Sequence, residues 1–138
     1  MTYELFVQNQ LKYTSHSLEW LPISHVDSVN QLFDYQYFLL GTHIERDGEN
    51  GHANQEADRL QLARLRTPNR KLHSNEVEEL AQTPGLQKDL SRLEIVREIP
   101  HEEEVIKARS MPHNLSIVAS MTNAGLINLY TLPEISQI

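Results

Sequence analysis

The run His101-Glu102-Glu103-Glu104 carries the residue types of a metal or acid–base centre. A zinc-protease helix needs a second histidine four residues after the first, however, and Val105 stands there. The other histidines, His16, His25, His43, His52, His73 and His113, are scattered without ligand-type spacing, so the spacing predicts neither a metal nor a cofactor site. His101 is expected to hydrogen-bond within the fold, and residues 102–104 to form a solvated acidic turn from which Glu104 can meet a basic peptide. The chain has no cysteine, which excludes thiolate metal sites, disulfides and cysteine nucleophiles. No stretch resembles a nucleophile elbow, a phosphate loop or a paired-carboxylate motif, so an enzyme has no positive support and catalytic residues are expected to be none.

Arg59, Arg64, Arg66, Arg70 and Lys71 form a basic interval with no acid inside it. It lacks the interleaved aromatics of a single-strand reader, and is expected to be an exposed strand edge and loop. Over 138 residues the net charge is −7, which disfavours a broad DNA-binding face and favours basic partners. No apolar run reaches the roughly 18 residues of a membrane span, and Met1 to Gln10 does not read as a secretory signal.

The elements that must position these groups read as short strands. Ser17 to Leu21 alternates polar and apolar before Pro22 stops it, with Trp20 expected as a packed strand end. Tyr35 to Thr42 follows, with Tyr35, Tyr37 and Leu39 on one face. Ile44 to Asp58 is acidic and glycine-containing, the composition of a loop. Arg59 to Arg66 places Leu60 and Leu62 in phase. Residues 67–90 are polar and broken by Pro68 and Pro84-Gly85, with a short helix expected around Asn75 to Gln82. Leu93, Ile95 and Ile99 are expected on one face of a strand that stops at Pro100. Val105 to Met111, Leu115 to Met121 and Leu126 to Tyr130 then form an antiparallel meander, with a turn at Thr122-Asn123-Ala124-Gly125.

Several ordered segments carry a family resemblance. Tyr3-Glu4-Leu5, Leu11-Lys12-Tyr13-Thr14-Ser15-His16, Trp20-Leu21-Pro22, Asp34-Tyr35 and Leu40-Gly41-Thr42-His43 come first. His101-Glu102, Glu104-Val105, Ala108-Arg109, Met111-Pro112 and Asn114 follow. Together, over most of 3–42 and 92–130, the chain resembles the retinoblastoma-binding or MSI-like histone-binding WD-repeat proteins, as a diverged member matching their N-terminal portion.

The resemblance implies an all-β WD-repeat β-propeller. Blades take about 40 to 45 residues, so this length corresponds to ring-closing strands and a first blade rather than a closed ring. The implied division is a helix end and connector over 1–16, ring-closing strands over 17–66 with the acidic loop 44–58, a loop or insertion over 67–90, and the first blade over 91–138. It also implies a non-catalytic, nuclear histone-binding scaffold with a cytoplasmic pool as the second location. Its expected partners are histone tails or other basic peptides together with deacetylase and corepressor subunits, with no sequence-specific DNA or membrane partner. The peptide-binding candidates are His43, Glu104, Lys107 and Arg109. Two positions depart from the family's binding pattern: Lys12 replaces a Glu and Ile106 an Asn. A sign change facing a basic ligand weakens its binding, so the leading expectation is a scaffold in a histone deacetylase corepressor complex. The alternatives are a histone chaperone subunit of a chromatin-assembly or histone acetyltransferase complex and, from another class, a small hydrolase-like enzyme.

Overall fold

The computed structural model describes residues 8–45, 57–69, 73, 75–76, 78–79 and 93–138. Within them lie seven strands, a short helix near the end of the chain and a few further helical residues. Strands β1 (Thr14–Val26), β2 (Phe33–His43), β3 (Asp58–Pro68) and β4 (Leu93–His101) form an antiparallel sheet in the order β1-β2-β3-β4. Strands β5 (Val105–Met111), β6 (Asn114–Thr122) and β7 (Ile127–Thr131) form a second antiparallel meander, followed by helix α1 (Pro133–Ser136). Residues 75–76 and 78–79 have helical backbone, within the expected helix. The expected helix end at Tyr3 to Val7 and most of the acidic loop lie outside the described residues.

The main core lies between the sheets. Leu21 of β1, Tyr37 and Leu39 of β2, and Leu60 and Leu62 of β3 pack against Val105, Ala108 and Val118 of the small sheet, with Leu132 and Ile135 at one end. Tyr35 joins the same side as Tyr37 and Leu39, as their spacing predicts. Leu39, Leu60 and Leu62 are almost completely buried, each contributing about 1.5 to 3 kcal/mol through lost water contact. The other face of the large sheet has its own cluster of Phe38, Leu40 and Ala63, covered by Leu11, Leu65 and Leu93. Strand β2 is thus apolar on both faces and sits inside its sheet, whereas β1 and β4 are its edges.

Several expectations change. Strand β1 continues through Pro22, because an edge strand tolerates a residue without an N–H and the register shifts between Trp20 and Ser24. Strand β4 likewise runs through Pro100 on the opposite edge. Its apolar residues do not share one face: the register shift between Leu62 and Ala63 of β3 leaves Val96 of β4 without an opposite residue and inverts the alternation. Leu93 therefore packs with Phe38, and Ile99 with the inter-sheet core. Since β4 belongs to the large sheet, the change of sheet falls at residues 102–104.

Trp20 is 55 % exposed and meets Phe38 edge-on, 5.2 Å between centroids, so it is not a packed strand end. Arg59, Arg64 and Arg66 of the basic interval do not lie on an exposed edge, because β3 is internal, and Arg70 and Lys71 lie outside the described residues. Arg59 pairs with Glu98, Arg64 with Glu94 and Arg66 with the buried Asp27, while Arg64 and Arg66 also lie over the rings of Tyr35 and Phe33. Their charges are spent across strands. In the small sheet the expected turn is present, with Gly125 at φ +82° and its N–H donating to the Thr122 carbonyl.

Candidate functional site

Glu104 lies in the short link between the sheets and is fixed from both sides. Its carbonyl accepts a hydrogen bond from the N–H of Asn123 in the β6–β7 turn, at 3.1 Å. The next residue, Val105, is completely buried against the large sheet. Its carboxylate therefore faces the start of β1 and the end of β2.

Two imidazoles meet it there. His16 Nδ1 is 2.7 Å from one carboxylate oxygen, and His43 Nδ1 is 3.1 Å from the other. The rings stack with centroids 5.0 Å apart and planes 22° from parallel. The Glu104 side chain is 12 % exposed, His43 31 % and His16 56 %, so the cluster opens to solvent on the His16 side. The His16 contact is a hydrogen bond. His43 Nδ1 is within ion-pair reach of Glu104 but lacks hydrogen-bond geometry, and this nitrogen is shielded from solvent without a hydrogen-bond partner.

Local sequence explains the convergence. The β1–β2 register shifts between Ser15 and Ser17, leaving His16 as the extra residue of a bulge, a distortion that re-aims a side chain. Ser15 stabilises it: its Oγ is 2.6 Å from the Gly41 carbonyl and 2.9 Å from that of Ser17. The end of β2 is held by Asp58, which accepts hydrogen bonds from the Ile44 N–H at 2.8 Å and the Thr42 hydroxyl at 3.4 Å. Thr42 Oγ1 in turn accepts the N–H of Arg59 at 2.8 Å. His43 is thus fixed by its neighbours on both sides.

Of the candidate binding residues, His43 and Glu104 are together. Lys107 and Arg109 lie on β5 with exposed side chains, and Arg109 pairs with Glu19 of β1 at 3.7 Å. Ile106 is 41 % exposed, and the β5–β6 register shift between Val105 and Lys107 makes it a bulge residue as well. Lys12 lies before β1, with its ammonium 4.8 Å from the centroid of Tyr13, whose ring also meets Arg59. Sequence reading missed His16, because ligands from three separate elements leave no local pattern. The bulge that aims it depends on pairing with a distant strand.

His101 has the internal role expected of it. It is buried, with Nε2 2.9 Å from Ser120 Oγ and 3.3 Å from Tyr130 Oη, and Nδ1 3.1 Å from the Ile99 carbonyl. It ties the end of β4 to β6 and β7. A separate groove of about 560 Å³ lies between the sheets, lined in part by Trp20, Pro22, Arg109, Met111 and Leu129.

Among the described residues these features define a mostly β chain of two packed antiparallel meanders with a polar cluster at their junction. No protein-family model matches it. Three curated proteins similar to it share the name histone acetyltransferase type B subunit 2. That of Debaryomyces hansenii is 30 % identical over 130 residues, covering 94 % of this chain and 28 % of the relative. That of Kluyveromyces lactis is 29 % identical over 135 residues, covering 94 % and 31 %. That of Schizosaccharomyces pombe is 27 % identical over 123 residues, covering 89 % and 26 %. The chain is homologous to these subunits over most of its own length, and its motifs resemble the retinoblastoma-binding or MSI-like WD-repeat family. It spans less than a third of the relatives' length.

Proposed function

We propose that the chain is part of a WD-repeat β-propeller that serves as a non-catalytic, nuclear histone-binding subunit of a histone acetyltransferase complex. The observation that carries this reading is the similarity to histone acetyltransferase type B subunit 2 over 94 % of the chain. Two features of the fold support the propeller. Its meanders end in open edges, with Ile127 and Leu129 of the edge strand β7 each 71 % exposed, surfaces that neighbouring blades would cover. His101 at the end of β4 meets Tyr130 of β7, the neighbour of Thr131, across the two sheets, and paired Gly-His and Trp-Asp signatures mark a WD blade.

The similarity supports the acetyltransferase alternative better than a deacetylase corepressor complex, since all three relatives are named as acetyltransferase subunits. The departures at Lys12 and Ile106 concern how tightly a tail is held rather than which enzyme is partnered.

Glu104 is the proposed acceptor for a basic side chain, entering past the exposed His16. Calorimetric titration of the protein with core-histone tail peptides, in chelator, tests this. A saturable, salt-sensitive curve that Glu104→Ala weakens at least about tenfold is expected, from losing a charged contact at a shielded site. Unchanged affinity in Glu104→Ala rejects the assignment.

A further inference from the structure

We propose that His16, His43 and Glu104 bind one divalent transition-metal ion of the zinc type. Their ligand atoms lie within 4.8 Å of one another, although the residues come from β1, β2 and the link before β5.

The chemistry of the set selects the ion. Two imidazole nitrogens and one carboxylate oxygen suit zinc and its first-row neighbours, whereas calcium and magnesium require mostly oxygen. Ligands about 2.0 to 2.2 Å from a tetrahedral centre are roughly 3.4 Å apart. One carboxylate oxygen sits 2.7 Å from His16 Nδ1 and the other 3.1 Å from His43 Nδ1, and with one ligand atom from each residue the set spans up to 4.8 Å, so the three must draw together slightly around an ion. The required adjustment falls mainly on His16, which is 56 % exposed and free to swing, while Glu104 and His43 are held by the framework.

A second observation points the same way. His43 Nδ1 is shielded from solvent and forms no hydrogen bond, although a carboxylate oxygen is 3.1 Å away. This nitrogen, shielded and beside the carboxylate, is placed to share a cation with it. The groups that pair with Glu104 among the described residues are both imidazoles, and histidine is not a permanent cation. A divalent ion would compensate this shielded carboxylate and leave a fourth position open on the His16 side.

The test uses the full chain freed of metal by chelator. Calorimetric titration with zinc is expected to give one equivalent bound in the micromolar range or tighter. Cobalt(II) is expected to give the intense visible absorption of a four-coordinate site. His16→Asn, His43→Asn and Glu104→Gln should each weaken zinc binding at least about tenfold. Zinc should raise the melting temperature of the parent chain but not of His16→Asn, since the ligands join two sheets. His16→Asn decides the matter if the other variants fail to fold, because the ring is exposed and its loss in chelator should leave the melting temperature unchanged. Absence of saturable binding, or an unaltered affinity in His16→Asn, overturns the proposal.

Discussion

A Cβ placed on Gly41 would lie 2.6 Å from the carbonyl oxygen of Val105 and 2.7 Å from its Cβ. The two sheets approach at backbone distance here because Gly41 has no side chain. The obstacle is partly main chain, which no rotamer change removes. Gly41→Ala should therefore destabilise the fold by about 3 kcal/mol through overpacking, measured by urea denaturation. A loss below about 0.5 kcal/mol would show that the sheets separate at little cost.

His101, Ser120 and Tyr130 form a buried hydrogen-bonded group spanning both sheets. Ser120→Ala removes one partner of a shielded imidazole nitrogen and should cost about 1 to 3 kcal/mol. Tyr130→Phe should cost less, because its contact is longer at 3.3 Å. The double variant should lose more than the sum, since each partner partly compensates for the other. Strict additivity in denaturation experiments would rule out a shared network.

Asp27 predicts an acid limit to stability. Burial alone would raise its pKa, but the Val29 N–H, the Arg66 guanidinium and the Asn30 N–H outweigh it and hold the carboxyl below the usual aspartate value. A carboxyl with a depressed folded pKa stabilises the fold above its unfolded pKa of about 3.9, and this contribution is lost as pH falls through the lower folded value. Stability measured by denaturation should thus decline below about pH 4, with a shallower decline in Asp27→Asn. Equal slopes would remove Asp27 from the account.

Arg66 tests the same pair from the other side. Its guanidinium is 3.2 Å from Asp27, and both side chains are largely buried. Arg66→Met strands the carboxylate and should cost about 3 to 5 kcal/mol at neutral pH. Combining it with Asp27→Asn should recover part of this loss in thermal melts. No recovery would assign the cost of Arg66→Met to packing over Phe33.

The small sheet leaves apolar side chains on a free edge. Ile127→Lys with Leu129→Lys should reduce self-association of the isolated chain, measured by light scattering, while changing its melting temperature little. A large stability loss would mean that these residues pack internally.

Much of the fold is legible from residue types. Alternation in Tyr35–Leu39 and Leu60–Leu62, and the turn ending at Gly125, specify β2, β3 and the β6–β7 connection. Features that depend on neighbours are not legible. Proline at 22 and 100 reads as a stop unless these strands are known to be edges, and the bulge at Val96 that reverses β4 is defined only against β3. Arg59, Arg64 and Arg66 read as a free basic patch because their carboxylate partners lie 30 to 39 positions away, on β4 and just after β1. Of the candidate cluster, motif resemblance singles out His43 and Glu104, but His16 emerges only through a strand irregularity.

The ties on Glu104 have one more implication. Both imidazoles ride on one sheet while the carboxylate is anchored to the turn of the other, so the trio is intact only when the layers are seated together. Any occupant of that cluster acts as a bolt between layers, and any force that pries them apart ejects it. Occupancy and mechanical integrity at this seam are therefore a single equilibrium, read from either end.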